Sequence, residues 1–193
     1  MTSQCHTEAV PRLDPMLAAT RECVMDVGLK RTTLADVARR AGVSRMTVYR
    51  QYGDLQTIVN KLLECELLAL MEQAREAVAD LPTARERLVE AGVRTVEGLA
   101  HHPLYRRVLD LDPELLLPLV VDRFGSTQKA AIALVAEQLE EGQRDGSIRR
   151  VDAEVAATAL QLTAQSFVFS ARVVDGLPMS DELRHLLDAY LRP

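Results

Sequence analysis

The chain has 193 residues, 48% apolar, 4% aromatic and 26% charged, with a formal net charge of −5. That length holds one compact domain, or a small domain joined to a larger one, and the apolar share is ample for a core. The longest apolar-rich run, Leu115 to Val121, contains Pro118 and is far too short to span a bilayer.

Leu, Ala and Val dominate, which suits helices packed through aliphatic ridges. No stretch alternates apolar and polar residues well enough to read as a strand, so folds that place a β-hairpin after a recognition helix are disfavoured. Charge divides the chain. Residues 1–61 carry 9 Lys/Arg against 6 Asp/Glu, a balance of +3; residues 62–193 carry 14 against 22, a balance of −8. Only the first third is therefore suited to lie on nucleic acid. Cys5, Cys23 and Cys65 are odd in number and widely spaced, which reads as reduced thiols of a cytoplasmic protein. Neither a basic leader nor an apolar signal core is present.

Residues 1–11 read as a loose polar arm, with Arg12 just beyond it. The stretch TLADVARRAGVSRMTVYRQY, residues 33–52, reads as two short helices joined by a tight turn. Leu34, Val37, Ala38 and Ala41 recur at i, i+3, i+4 and i+7, one apolar stripe. Thr33 and Asp36 form a T-x-x-D start signal. Gly42 follows the last apolar position, where a left-handed residue ends a helix. Val43 plugs the corner, Ser44 caps a second helix, and Val48 faces inward. This is the helix-turn-helix plan, in which the second helix offers its first turns to base edges in the major groove.

The outward residues suit that task. Arg45 can bond guanine in bidentate fashion, Thr47 offers a hydroxyl or a methyl, and Met46 can touch a thymine methyl. Tyr49 and Arg50, one turn on, can reach phosphate. The plainer reading is a helical corner in a bundle, with Arg45 and Arg50 merely solvated. Local charge argues against it. From Lys30 to Lys61 seven basic residues face two acidic ones, a balance of +5 inside an acidic chain.

Beyond this unit the punctuation predicts more helices. Asp54 caps a long one running to about Asp80–Pro82. Thr83-Ala-Arg-Glu86 is a capping box for the next, which ends at His102–Pro103. Pro103, Pro113 and Pro118 divide the following segment into short pieces. A helix is predicted from about Thr127 to Gly142, then the turn GQRDGSIRRVD, a helix from Asp152 to about Val174, and a last one opened by Ser180, Asp181 and Glu182.

Residues 17–63 resemble the N-terminal domain of the tetracycline-repressor (TetR) family. LAATRECVMDVG resembles its first helix with terminal Gly28, and TTLADVARRAGVS its second helix and turn. RMTVYRQY resembles the recognition helix, with the Tyr-x-x-aromatic signature at Tyr49 and Tyr52, and DLQTIVNKLL the start of the fourth. The Asp-Gly-Ser-Ile-Arg turn before an Asp-capped, alanine-rich helix resembles the entry to the family's penultimate helix. There are three departures. Val24 stands where a core phenylalanine is usual, Met46 where glycine is common, and Leu55 where a lysine often touches phosphate.

The resemblance implies an all-α chain with a three-helix DNA-binding domain at 12–60 and a helical effector-binding and dimerisation domain at 61–193. It implies a sequence-specific transcriptional repressor. Such a repressor is a homodimer on a palindromic double-stranded DNA operator and is released by a small, apolar effector. The expected DNA-facing set is Thr33, Ser44, Arg45, Met46, Thr47, Tyr49, Arg50 and Gln51. Candidate effector contacts are Arg94, His101, Tyr105, Phe124, Gln161, Gln165 and Phe169, polar or aromatic groups that interrupt aliphatic faces. Each of them also suits an ordinary core or surface place. Ala156, Leu160, Phe167, Leu183, Leu186, Leu187 and Tyr190 are candidates for the dimer interface, against the alternative that they pack within one subunit.

An enzyme is the contrasting hypothesis. The chain holds no G-x-S-x-G, phosphate-binding glycine loop, H-E-x-x-H or redox cysteine pair. Cys5-His6 with His101-His102 matches no ligand spacing, so neither metal nor cofactor is expected. A module that binds ligand or protein but has lost DNA contact is the third hypothesis, motivated by Leu55.

Overall fold

The computed structural model describes residues 14–111, 124–174 and 176–193. Among these residues all regular structure is helical: α1 Pro15–Val27, α2 Leu34–Ala41, α3 Arg45–Tyr52, α4 Leu55–Glu76, α5 Ala84–His101, α6 Pro103–Leu111, α7 Ser126–Arg144, α8 Ala153–Ser170 and α9 Met179–Leu191. The polar arm at 1–11 and the pieces around Pro113 and Pro118 lie outside the described residues.

The helix starts follow their local chemistry. Asp14 accepts from the Met16 N–H at 2.7 Å, and Pro15 occupies a position with no N–H to satisfy. Thr33, Ser44, Asp54 and Asp152 each accept an N–H three residues on. The Thr83–Glu86 capping box is reciprocal. Two predicted ends move inward. α4 stops at Glu76 before a run of turns, and α8 stops at Ser170, four residues short of Val174.

Two cores organise the chain. The first joins α1, α2, α3 and the start of α4 through Leu17, Val24, Val37, Val48, Ile58 and Leu62, and it also takes in Leu104 and Val108 of α6. Val24 is 1% exposed and lies inside this core. Leu55 packs against the same core. The second core lies among α5, α7, α8 and α9, around Val93, Leu139, Ala157 and Leu183. Arg184 to Glu90 and Arg85 to Asp188 pin α9 to α5 at its edge.

α4 crosses the expected boundary at residue 60 without a break. Its Ile58 and Leu62 belong to the first core, while Ala74 packs with Val78 and Ala91 at the far end. α6 is the second bridge, since it packs against both α1 and α5.

Candidate nucleic-acid interface and interior cavity

Gly42 ends α2 in the left-handed conformation, φ 69°, and its N–H bonds back to Ala38 and Arg39. The Val43 N–H reaches the Ala38 carbonyl at 3.0 Å, and the Val43 side chain packs on the first core. The turn therefore sends α3 off at an angle while Val48, 0% exposed, roots it. A buried valine of this kind contributes about 1.5–3 kcal/mol, enough to hold a helix of only two turns in place.

The opposite side of α3 is open. Arg45, Met46, Tyr49 and Arg50 are all exposed, Met46 at 61% and Tyr49 at 57%. Arg45 and Arg50 make no ion pair among the described residues, whereas neighbouring cations are tied down. Arg39 pairs with Asp36 at 3.1 Å, Arg40 with Asp26 at 2.7 Å, and Lys61 with Glu64 at 2.6 Å. Arg31 donates to the Val27 carbonyl. Arg45 and Arg50 thus stand together on one short helix as exposed cations without an ion pair, while Arg39, Arg40 and Lys61 are each paired with a carboxylate.

Four other expected contacts have structural tasks. Thr33 caps α2 and also hydrogen-bonds Asp36, whose carboxyl is held below its ordinary range chiefly by that hydroxyl. Ser44 caps α3 and shares a 2.9 Å hydrogen bond with the Thr47 hydroxyl, which leaves Thr47 half-buried. Gln51 donates to Asp14 at 3.0 Å and so fastens the end of α3 to the start of α1. The sequence carried no signal for that long-range tie.

Between α4, α5, α7 and α8 lies a cavity of about 180 Å³, whose wall α9 completes with Leu187 and Leu191. Its walls are mainly aliphatic. Of the candidate effector contacts, Tyr105, Gln161, Gln165 and Phe169 stand on its wall. Arg94, His101 and Phe124 do not. Leu88, Ala91, Gly92, Thr95, Val96 and Leu99 are the α5 residues that face inward, and Arg94 and His101 stand two positions out of phase with Gly92 and Leu99 on the exposed side. His101 turns back to the Glu97 carbonyl at 2.9 Å. Phe124 is half-buried beside the start of α7, outside the lining. Leu67, Met71, Leu88, Gln128 and Gln138 line the cavity unforeseen, because an apolar helical stripe looks alike whether it faces a core or a void.

A polar chain leads from the cavity to the first core. The Tyr105 hydroxyl donates to the Leu63 carbonyl of α4 at 2.8 Å, and burial pushes the phenol well above its ordinary pKa, so it remains a donor. The His102 ring meets Tyr105 edge-on at 5.6 Å, and its Nε2 lies 3.3 Å from Glu66. Glu66 in turn accepts from Arg21 of α1 at 2.9 Å. Cys23 and Cys65 lie in or beside the same core as free thiols, both pushed above the ordinary thiol range by burial.

The expected dimer residues divide by helix phase. Ala156, Leu160, Leu183 and Leu187 are buried in the second core of their own subunit, and Phe167 packs against it. Leu186 and Tyr190 stand outward on α9 at 53% and 36% exposure, and Val155 and Leu162 do so on α8. The inward stripes fill the subunit's own core, which leaves the outward apolar residues as the uncovered face.

The profile described as "Bacterial regulatory proteins, tetR family" matches residues 16–61. The HTH-type transcriptional regulator Mb2274c of Mycobacterium bovis is 38% identical over 180 residues, covering 91% of this chain and 92% of its own. The regulator YhgD of Bacillus subtilis is 21% identical over 149 residues, 77% of this chain and 78% of its own. Among solved structures, the repressor AlkX from Dietzia, implicated in biodegradation of n-alkanes, superposes with a TM-score of 0.71 at 20% identity, covering 93% of this chain and 96% of its own. FadR from Bacillus subtilis, solved in complex with stearoyl-CoA, gives 0.61 at 18% identity over 92% and 98% of the two chains. No described helix is long and apolar enough to cross a membrane.

Proposed function

The chain belongs to the TetR family of helix-turn-helix transcriptional regulators, and on that premise we propose that it is a homodimeric repressor released from a palindromic operator by a small apolar effector. The observation that carries the DNA-binding half is α3 itself. It has one fully buried anchor, Val48, and two exposed arginines without an ion pair beside Met46 and Tyr49. Arg45 and Met46 are the base-reading residues in this proposal; Tyr49 and Arg50 hold phosphate. Thr33, Ser44, Thr47 and Gln51 act by shaping and seating the helix, with their backbone N–H groups near the duplex.

A single helix of this size makes too few contacts for tight specific binding, and a two-fold dimer doubles them on half-sites about 34 Å or a multiple apart. Leu186 and Tyr190 of α9, with Val155 and Leu162 of α8, form the surface we assign to the second copy. The cavity is the effector site. Tyr105 connects its wall to α4, and Glu66 connects α4 to α1, so a ligand that displaces Tyr105 changes the seat of the reading head. The solved relatives concerned with n-alkane breakdown and with stearoyl-CoA support an aliphatic ligand.

The test is recovery of genomic fragments by the purified protein, followed by a salt-titrated shift assay on those retained. Specific binding that falls steeply with salt is expected. Retention of no fragment above random background would remove the DNA-binding reading.

A further inference from the structure

Gln161, Gln165 and Gln128 form one polar corner of the cavity wall, apart from Gln138, ten residues further along α7, and Thr95 of α5. Gln161 and Gln165 stand four residues apart on α8, and so on one face of it. Gln128 of α7 donates from its Nε2 to the Oε1 of Gln165, while its own Oε1 accepts the Gly125 N–H at 2.8 Å. Gln128 is 7% exposed and held from both sides, so it fixes the Gln165 amide in turn. The Gln161 side chain makes no hydrogen bond among the described residues and lines the same wall.

Around this amide corner the walls are aliphatic, with Leu63, Leu67, Leu88 and Leu160 among them. The lining runs from Leu63 to Met71 along α4, about 12 Å at the α-helical rise of about 1.5 Å per residue. An aliphatic wall of that length suits an extended alkyl chain lying along α4.

We infer that the ligand of this cavity is an aliphatic chain bearing an uncharged oxygen, a hydroxyl or carbonyl, that hydrogen-bonds the amides of Gln161 and Gln165. This deepens the effector reading above and rests on it for the cavity's role. The chemistry follows from the amide group, which both donates and accepts and carries no charge. A neutral oxygen meets it with full hydrogen bonding. An ionised carboxylate brought to the same corner loses its hydration and gains no cation, which costs far more than a neutral hydrogen bond returns. A plain alkane leaves the Gln161 amide facing hydrocarbon.

The full-length protein is titrated by calorimetry with decanol, methyl decanoate and decanoate at about pH 8, where the acid is ionised. Decanol and the ester are expected to bind about tenfold or more tightly than decanoate. Gln161→Leu should weaken decanol by up to about tenfold. Gln161→Lys, which supplies a cation at the corner, should reverse the preference towards decanoate and thereby show that the substituted cavity is still intact. Decanoate binding as tightly as decanol to the unsubstituted protein, binding by none of the three, or an unchanged preference in Gln161→Lys each overturns the inference. Release of operator DNA is measured separately. Binding in the expected order with no change in operator affinity would support the ligand class and reject the effector role.

Discussion

The Tyr105 hydroxyl donates to the backbone carbonyl of Leu63 at 2.8 Å, across forty-two positions of sequence. The bond ties α6, through a side chain that lines the cavity, to α4, the helix that follows α3. Leu63 keeps its place in the α4 ladder whether or not Tyr105 bonds it, so the carbonyl is not orphaned by a substitution. Tyr105→Phe is therefore expected to cost only about 0.5–1 kcal/mol in urea unfolding, at the low end for a lost hydrogen bond. A loss above about 3 kcal/mol would mean that the phenol does more than this geometry shows.

Glu66 predicts a pH dependence. Its carboxyl is held below the ordinary value, first by the hydrogen bond from His102, with Arg21 adding a Coulombic contribution, and its side chain is 14% exposed. A depressed folded-state pKa means that the unfolded chain takes up the proton more readily. The stabilisation is thus fully present above the unfolded value, about 4.3, and is lost as pH falls through the folded one. Thermal unfolding of the unsubstituted protein and of Glu66→Gln, followed from neutral pH down into the acid range, should give curves that converge on acidification. A gap that widens instead would contradict the ion-pair assignment.

The roles proposed for Arg45 and Tyr49 can be told apart by substitution. Arg45→Ala should relax base preference at one position of each half-site, by about 1–3 kcal/mol in discrimination. Tyr49→Phe should weaken every sequence alike. Competition binding against single-base operator variants distinguishes the two, and the reverse pattern would exchange the roles.

The outward apolar residues of α9 predict an assembly effect. Leu186→Asp places a charge on a face that is 53% exposed in the single chain, so the subunit's own stability should change by no more than about 0.5 kcal/mol. Across a dimer interface the same two charges would meet, and sedimentation should show a shift towards monomer. An unchanged dimer would move the interface to another face.

Gly142 offers a packing test far from both sites. A Cβ added there would stand 2.3 Å from Ile148 Cδ1 and 2.5 Å from Cγ1, and Ile148 is 3% exposed. Gly142→Ala gains about 1 kcal/mol of helix propensity but forces overpacking worth about 1–3 kcal/mol. Net destabilisation is expected, with partial recovery when Ile148→Val is added. A stabilised single variant would show that Ile148 moves aside at little cost.

What the amino-acid order settled alone is local. Thr33, Gly42, Ser44, Asp54 and the Thr83–Glu86 box each act within a few residues, and each caps or ends a helix where its chemistry demands. The exposed face of α3 belongs here too, because a turn and a 3.6-residue period decide which side of a short helix is left outside. Three-dimensional packing decided the rest. Leu160, Leu183 and Leu187 look as fit for a partner as Leu186 does until the subunit's own core takes them up. Arg94 and His101 interrupt an aliphatic helix as Gln161 does on another, yet they fall on the outer side. The ties from Gln51 to Asp14 and from Arg21 to Glu66 join residues thirty-seven and forty-five positions apart. Periodicity names a stripe, but only the meeting of several helices determines whether that stripe lines a core, a cavity or an open surface.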